Sequence, residues 1–172
     1  MNKKILIGLC AFLALLLPGV SKAQGNLNLK YSAEIHTGYG TTTKVQGNDM
    51  YIGRVMLGTI HGVSFDKYGE IGVGFDAVML THYYKSEGLR FAANPYVSVR
   101  PTYPITEKFS VFIDCALGAT IPVINMENSK TDVSYMIGPG IKYRKLNLSV
   151  GFNQIGSGSG STSFFARLGL YL

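Results

Sequence analysis

One polar stretch of the sequence carries the side chains that acyl transfer requires, because His82 is followed closely by Ser86 and Glu87. A histidine beside a hydroxyl can take up its proton, and a carboxylate can orient the histidine, so that the hydroxyl becomes a nucleophile. Polar loops commonly hold such residues without any catalytic role, and no motif of a lipid acyltransferase or deacylase surrounds these three. We therefore predict no catalytic residue and a protein that is not an enzyme.

Metal, phosphate and thiol chemistry find equally little support. His36 lies two positions after Glu34, but no second histidine occurs at ligand spacing, which favours a hydrogen-bonded interior residue. The segment Gly72–Gly74 continues as a strand, whereas a phosphate loop would open a helix. Cys115 occupies an apolar position of its segment, where a cysteine is a small apolar filler. We predict no metal and no cofactor.

The elements that hold these residues are strands, because apolar and polar residues alternate with a period of two. From Leu27 to Tyr39 the odd positions are mostly apolar and the even positions mostly polar. This segment is longer than most strands of soluble sheets and fits a strand that crosses a membrane at a tilt. Seven further segments repeat the pattern, beginning near Met50, Glu70, Leu89, Phe109, Val133, Leu146 and Ser163.

The charged residues of these segments fall in the polar phase, which leaves each strand one uncharged face. The segment from Met50 to Phe65 is ambiguous, since apolar residues occupy both phases. An arginine facing lipid would cost about 2 to 4 kcal/mol near the membrane centre, so we place Arg54 inward and Val55, Leu57, Val63 and Phe65 outward. The predicted interior charges are Lys30, Glu34, Arg54, Asp76, Arg100, Asp114, Lys142 and Arg167.

Aromatic residues of the apolar phase gather at the strand ends, as in the interfacial girdles of membrane barrels. One predicted girdle, toward the periplasm, consists of Phe65, Tyr103, Phe109 and Tyr143. The opposite girdle consists of Tyr39, Tyr51, Phe91, Tyr135, Phe152 and Phe164.

Long and short connections alternate along the chain. Polar loops are predicted at Gly40–Asp49, Thr81–Gly88, Ile124–Asp132 and Gln154–Thr162, with short turns at Asp66–Gly69, Pro104–Lys108 and Arg144–Lys145. This alternation predicts an all-β fold, an eight-stranded antiparallel up-and-down transmembrane β-barrel over residues 24–172. Prolines at 95, 101 and 139 fall inside strands, so we expect β-bulges there, foremost at Gly138–Gly140.

Residues 1–23 are predicted to be a cleaved signal peptide. Lys3 and Lys4 precede an apolar stretch from Ile5 to Leu17, and the small residues Ser21 and Ala23 place the cleavage between Ala23 and Gln24. Removing Lys3, Lys4 and Lys22 lowers the net charge from +6 to +3. The basic composition therefore gives no support to nucleic-acid binding.

The chain resembles the small outer-membrane β-barrel proteins of the OmpA and OmpX type, particularly the version found in Bacteroidetes-like bacteria. The resemblance rests on the hairpin from Leu57–Gly62 through Tyr68-Gly69 to Ile71–Gly74, and on the alternating terminal strand. The family usually ends in phenylalanine or tryptophan, whereas this chain ends Tyr171-Leu172. The resemblance implies a bacterial outer-membrane location, contact with membrane lipid and lipopolysaccharide, and insertion by the outer-membrane assembly machinery.

The predicted function is a structural or surface-interaction role through the outer loops of a monomeric, non-enzymatic barrel. Two alternatives stay open, an outer-membrane lipid-modifying enzyme and a narrow pore. Eight strands enclose a bore that side chains can fill, so we expect poor conduction. A turn centred near Thr106 would place Ser98 opposite Asp114 and Arg100 diagonally from it. Asp114→Ala should then lower stability, and a charge swap of Asp114 with Arg100 should partly restore it.

Overall fold

A computed structural model describes residues 28–45, 48–81, 90–124, 131–154 and 162–172, with side chains described except at 42–45, 48–52, 81 and 90. The eight strands are β1 (Leu29–Val45), β2 (Asn48–Phe65), β3 (Gly69–Thr81), β4 (Arg90–Pro104), β5 (Phe109–Ile124), β6 (Asp132–Tyr143), β7 (Leu146–Gln154) and β8 (Ser163–Tyr171). Each pairs antiparallel with its sequence neighbours, and β8 pairs with β1 to close the barrel. The predicted eight-stranded up-and-down barrel is thereby confirmed. None of the described residues forms a helix long and apolar enough to span a bilayer.

The period-two pattern sets which side chains enter the barrel, and β7 displays it in its simplest form. Asn147, Ser149, Gly151 and Asn153 are buried, whereas the intervening apolar residues are exposed. Successive side chains of a strand point to opposite faces, so each strand sends one set inward and the other outward. The polar set is the buried one, which is the reverse of a soluble protein.

The short connections gather at one end of the barrel, here called the turn end, and the opposite end is the loop end. The turns lie between Phe65 and Gly69, between Pro104 and Phe109, and between Tyr143 and Leu146. The last turn has two residues, and Arg144 adopts a left-handed φ of 54° there. All three turns lie within the segments that the sequence predicts for them, although the second is centred on Glu107 and not near Thr106.

The first predicted loop is largely strand. β1 continues to Val45 and β2 begins at Asn48, so most of the segment Gly40–Asp49 is paired. Threonines at 41 to 43 favour extended backbone. The prediction treated a polar composition as a loop signal and was wrong here.

The predicted bulge at Gly138–Gly140 is absent from the described pairing. Ile113 pairs with Pro139, and the β5–β6 register is continuous on both sides of that pair. Register shifts occur instead between Thr42 and Lys44 and between Phe91 and Ala92. Pro101 and Pro139 pair without a change of register, because a missing N–H removes one ladder bond without requiring an extra residue. The shift at Phe91 and Ala92 lies opposite Pro122.

A small apolar layer crosses the bore toward the loop end. It consists of the buried side chains Met56, Val78, Ala92, Met136 and Phe165. These inward-facing residues come from five different strands, and Leu80 and Ala116 pack against them. The layer separates a large ionic cluster near the turn end from a polar level at the loop end.

Candidate functional site: the buried ionic plug

Arg100 on β4 is the centre of the ionic cluster. Its Nε donates to Asp114 Oδ1 at 3.0 Å, and its Nη1 donates to Glu70 Oε1 at 3.1 Å and to the Tyr171 hydroxyl at 3.2 Å. Nη1 also pairs with Glu34. A guanidinium can serve so many partners because it presents five donors in a rigid plane. One side chain therefore ties together β1, β3, β4, β5 and β8 across the bore.

Asp114 on β5 joins this arginine to a second one. Its Oδ2 pairs with Arg167 Nη2 and accepts a hydrogen bond from Ser149 Oγ at 3.1 Å. The Asp114 side chain has 0% exposure, and that of Arg100 has 1%. A carboxylate so deeply buried requires several charged or polar partners, and Asp114 has three.

The β4–β5 pairing differs from the prediction by two residues. Val99 pairs with Cys115 and Thr102 with Phe112, so Arg100 lies directly opposite Asp114. Ser98 pairs with Ala116, whereas the sequence analysis placed it opposite Asp114. The turn is centred on Glu107 because the Lys108 and Phe109 amides both donate to Thr106 Oγ1. Shifting a turn centre by one residue moves every partner by two.

A second branch of the cluster runs through His36. Its Nε2 lies 2.7 Å from Asp76 Oδ1, and its Nδ1 lies 3.4 Å from Glu34 Oε1. The Tyr96 hydroxyl donates to the same Asp76 oxygen at 3.1 Å. Within the described residues, no group of histidine, cysteine, aspartate or glutamate side chains is arranged to hold a metal ion. His36 thus shares a hydrogen bond with Asp76 through Nε2, while its Nδ1 lies within ion-pair distance of Glu34 but forms no hydrogen bond with the described residues.

The cluster gathers only some of the predicted interior charges. Glu34, Asp76, Arg100, Asp114 and Arg167 lie in it. Lys30 is exposed near the turn end, and the ammonium of Lys142 lies 3.6 Å from the centre of the Tyr171 ring. Arg54 lies beyond the apolar layer and joins no ion pair of the described chain.

Sequence reasoning missed Glu70, Tyr96, Ser149 and Tyr171 as members of the cluster. All four occupy the polar phase of their strands, which is the one signal that could have identified them. An aromatic residue in a polar phase is a useful indicator, since Tyr96 and Tyr171 each bring both bulk and a hydroxyl into the bore.

Several predicted residues lie outside the cluster or outside the described structure. The girdle residues Tyr39, Phe65, Phe91, Tyr103, Phe109, Tyr135, Tyr143, Phe152 and Phe164 are all partly or fully exposed. The side chain of Tyr51 lies outside the described residues, as do Ala23, Gln24, His82, Ser86 and Glu87. Cys115 is partly exposed, in the same phase as the exposed residues Ile113 and Leu117.

Glycines leave the space that the interior aromatic rings fill. A Cβ at Gly74 would overlap the ring of Tyr96, and one at Gly140 would overlap the ring of Phe112. The cavity beside the cluster, lined in part by Asp76, Asn94 and Tyr96, measures about 10 Å³ and holds at most one water. The centre of the cluster is thus a packed ionic plug, whereas Glu70 and Tyr171 at its turn-end edge also line a cavity of about 250 Å³.

Gly74→Ala should destabilise the barrel by about 1 to 3 kcal/mol, because Tyr96 must move and give up its bond to Asp76. Urea unfolding in detergent measures this loss. Gly40→Ala is the control, since the nearest atom to its added Cβ, the Phe164 carbonyl oxygen, is 3.3 Å away. Equal losses at the two positions would show that the Tyr96 packing has no special importance.

Comparison with known proteins finds similarity of fold. Neisserial surface protein A superposes with a TM-score of 0.58 at 10% identity, covering 84% of this chain and 98% of that one. A de novo designed transmembrane β-barrel gives 0.47 at 14% identity, covering 82% and 95%. The attachment invasion locus protein Ail of Yersinia pestis, in complex with the heparin analogue sucrose octasulfate, gives 0.43 at 14%, covering 83% and 97%. No protein-family model and no curated protein matches the sequence. The chain thus shares the barrel fold of Neisserial surface protein A.

Proposed function

We propose that this protein is an integral β-barrel of a bacterial outer membrane, of the OmpA and OmpX type. The observation that carries the proposal is the reversal of burial, with charged side chains inside and large apolar side chains outside. Exposed residues from all eight strands include Ile35, Leu57, Val73, Val97, Leu117, Ile137, Leu148 and Leu168. Soluble monomers rarely expose contiguous apolar patches of more than a few hundred Å².

The outward phase is also uncharged, which lipid requires. Among the described side chains of that phase, His61 is the one titratable imidazole, and its Nδ1 lies 2.6 Å from the hydroxyl of Tyr31. Every strand of the closed ladder pairs with a neighbour on both sides, as backbone in hydrocarbon requires. An apolar exterior and a ring of strands without an edge together favour a bilayer over water as the surrounding medium.

The proposed orientation places the turn end in the periplasm and the loop end outside the cell, as in barrels with short periplasmic turns. It implies export by the signal peptide of residues 1–23, insertion by the outer-membrane assembly machinery as a monomer, and lipopolysaccharide around the loop end. The role we propose is structural support or surface interaction through the outer loops, without enzymatic activity. The packed plug supports this role over a narrow pore, and a large steady single-channel current would contradict it.

Purified protein should need detergent for solubility, and unheated samples should migrate differently from boiled ones on a denaturing gel. The reason is that a closed ladder of backbone hydrogen bonds resists detergent until it is heated. Fractionation of cells should recover the protein with the outer membrane. Protein that is soluble in buffer without detergent would overturn the membrane proposal.

A further inference from the structure

Arg54 is a buried cation that forms no ion pair with any of the described residues. The residue has 2% exposure, and its Nε and Nη1 have no hydrogen-bond partner in the described chain. It lies on β2 between Gly40 of β1 and Leu80 of β3, neither of which offers a polar side chain. A guanidinium withdrawn from water needs a compensating negative charge, because desolvation without pairing is strongly unfavourable.

The carboxylates of the ionic plug cannot supply that charge. Along the paired strands β2 and β3, Arg54 faces Leu80, Met56 faces Val78, and Gly58 faces Asp76. Met56 and Val78 belong to the apolar layer, which therefore separates Arg54 from Asp76 and from the rest of the plug. On the loop-end side of this layer, Asp132 accepts a hydrogen bond from the Val133 amide at 2.9 Å and forms no ion pair with Arg54 in the described structure.

Neutral polar groups without partners share this loop-end level. Ser163 Oγ, Asn153 Oδ1 and Thr120 Oγ1 are buried and unpaired in the described chain. Asn153 pairs with Ser163 in register, and its Nδ2 would lie 3.9 Å from a Cβ at Gly40, the residue opposite Arg54.

Thr120 approaches this level from the other side of the bore. It lies beyond Ala116, which pairs with Met136 of the apolar layer, on the side toward the loop end. One cation, the two unpaired hydroxyls of Ser163 and Thr120 and the side chain of Asn153 thus line the same level of the barrel.

We propose that Arg54, Asn153, Ser163 and Thr120 form a binding site for a small anion, a halide or a phosphate-like oxoanion, that enters from the loop end. A guanidinium offers paired N–H donors to an oxoanion, and the hydroxyls of Ser163 and Thr120 can donate to its other oxygens. The Asn153 Nδ2 lies 3.9 Å from Met56 Sδ and can donate to the anion once it turns away from that sulfur. Water could satisfy the hydroxyls, but it could not neutralise the guanidinium. The anion is either a free ion or the anionic group of a larger ligand.

Isothermal titration calorimetry of the purified barrel in an uncharged maltoside detergent tests the site. The protein is kept in sodium gluconate, and sodium phosphate or sodium chloride is titrated in at constant ionic strength. The unmodified protein should bind at least one of these anions saturably, and Arg54→Gln should weaken the affinity at least tenfold. Arg144→Gln removes an equal charge at an exposed turn and should leave binding unchanged. A comparison of two phosphates identifies the occupant. If glycerol phosphate binds more tightly than inorganic phosphate, the site holds the anionic group of a larger ligand. If inorganic phosphate binds more tightly, the site holds a free ion.

Two further measurements keep the test decisive if Arg54→Gln does not fold. Ser163→Ala and Thr120→Val should each weaken binding severalfold while the heat-dependent gel mobility stays unchanged. Crystals soaked in bromide should give an anomalous peak beside the Arg54 guanidinium. The proposal is wrong if no anion binds saturably, or if the Arg54→Gln variant binds anions as tightly as the unmodified protein. It is also wrong if binding appears only in the Asp132→Asn variant, because Asp132 would then be the counter-charge of Arg54. None of these outcomes bears on membrane insertion.

Discussion

Replacing Asp114 with alanine should lower the free energy of unfolding by about 3 to 5 kcal/mol, the cost of breaking a buried ion pair. Among the described residues, the substitution leaves Arg167 without its ion-pair partner and leaves Arg100 with Glu34 and Glu70 as its ion-pair partners. It also removes the acceptor of Ser149 Oγ. The penalty is large because the arginines stay buried after the carboxylate is gone. Equilibrium urea unfolding in detergent micelles or lipid vesicles, followed by the mobility shift on gels, measures it.

A matched control and a second variant separate this mechanism from general damage. Glu107→Ala removes an exposed carboxylate from the β4–β5 turn and should change stability by no more than about 0.5 kcal/mol. Combining Asp114→Ala with Arg167→Met should cost less than the two single changes added together, because the second change removes the unpaired cation. Strict additivity, or an Asp114→Ala variant of normal stability, would contradict the plug as a source of stability.

The predicted rescue by a charge swap of Asp114 with Arg100 does not agree with the structure. An aspartate at position 100 would face Glu34 and Glu70, and an arginine at position 114 would face Arg167. Both exchanged charges would meet like charges, so we now expect the swap to be less stable than Asp114→Ala alone. The pairwise view failed because each charge in the plug has partners from several strands.

The fold was predictable because lipid and the narrow bore place opposite demands on the two phases of each strand. The placement of Arg54 illustrates this, since its inward direction followed from the cost of charge in lipid, and the residue is buried. The first short turn was predictable from its residue types. Asp66 and Gly69 end the alternation of apolar and polar residues, and both adopt positive φ angles in the structure.

The composition of the plug was not predictable to the same degree. Period-two alternation identifies the phase of a residue but not its height in the barrel, so it could not separate Arg54 from Arg100. Height depends on strand register, and the β4–β5 register depends on where the Thr106 hydroxyl caps the turn. A sequence with no Asn-Gly or Asp-Gly at that turn carries no strong signal for its centre.

Ile113→Arg should reduce assembly sharply and lower stability by about 2 to 4 kcal/mol, because Ile113 faces outward on β5 where we propose lipid. It lies four residues from the girdle residue Phe109, which is about half of a membrane-crossing strand of roughly 9 to 11 residues. Ser110→Arg is the control on the same strand, since Ser110 lines a cavity of about 250 Å³ at the turn end together with Glu70 and Glu107. Ile113→Leu tests packing without charge and should be tolerated. Outer-membrane recovery and urea unfolding in vesicles measure both effects. If the two arginine variants assembled equally well, the outward face of β5 would not lie in lipid, and the barrel would need another environment for its apolar surface.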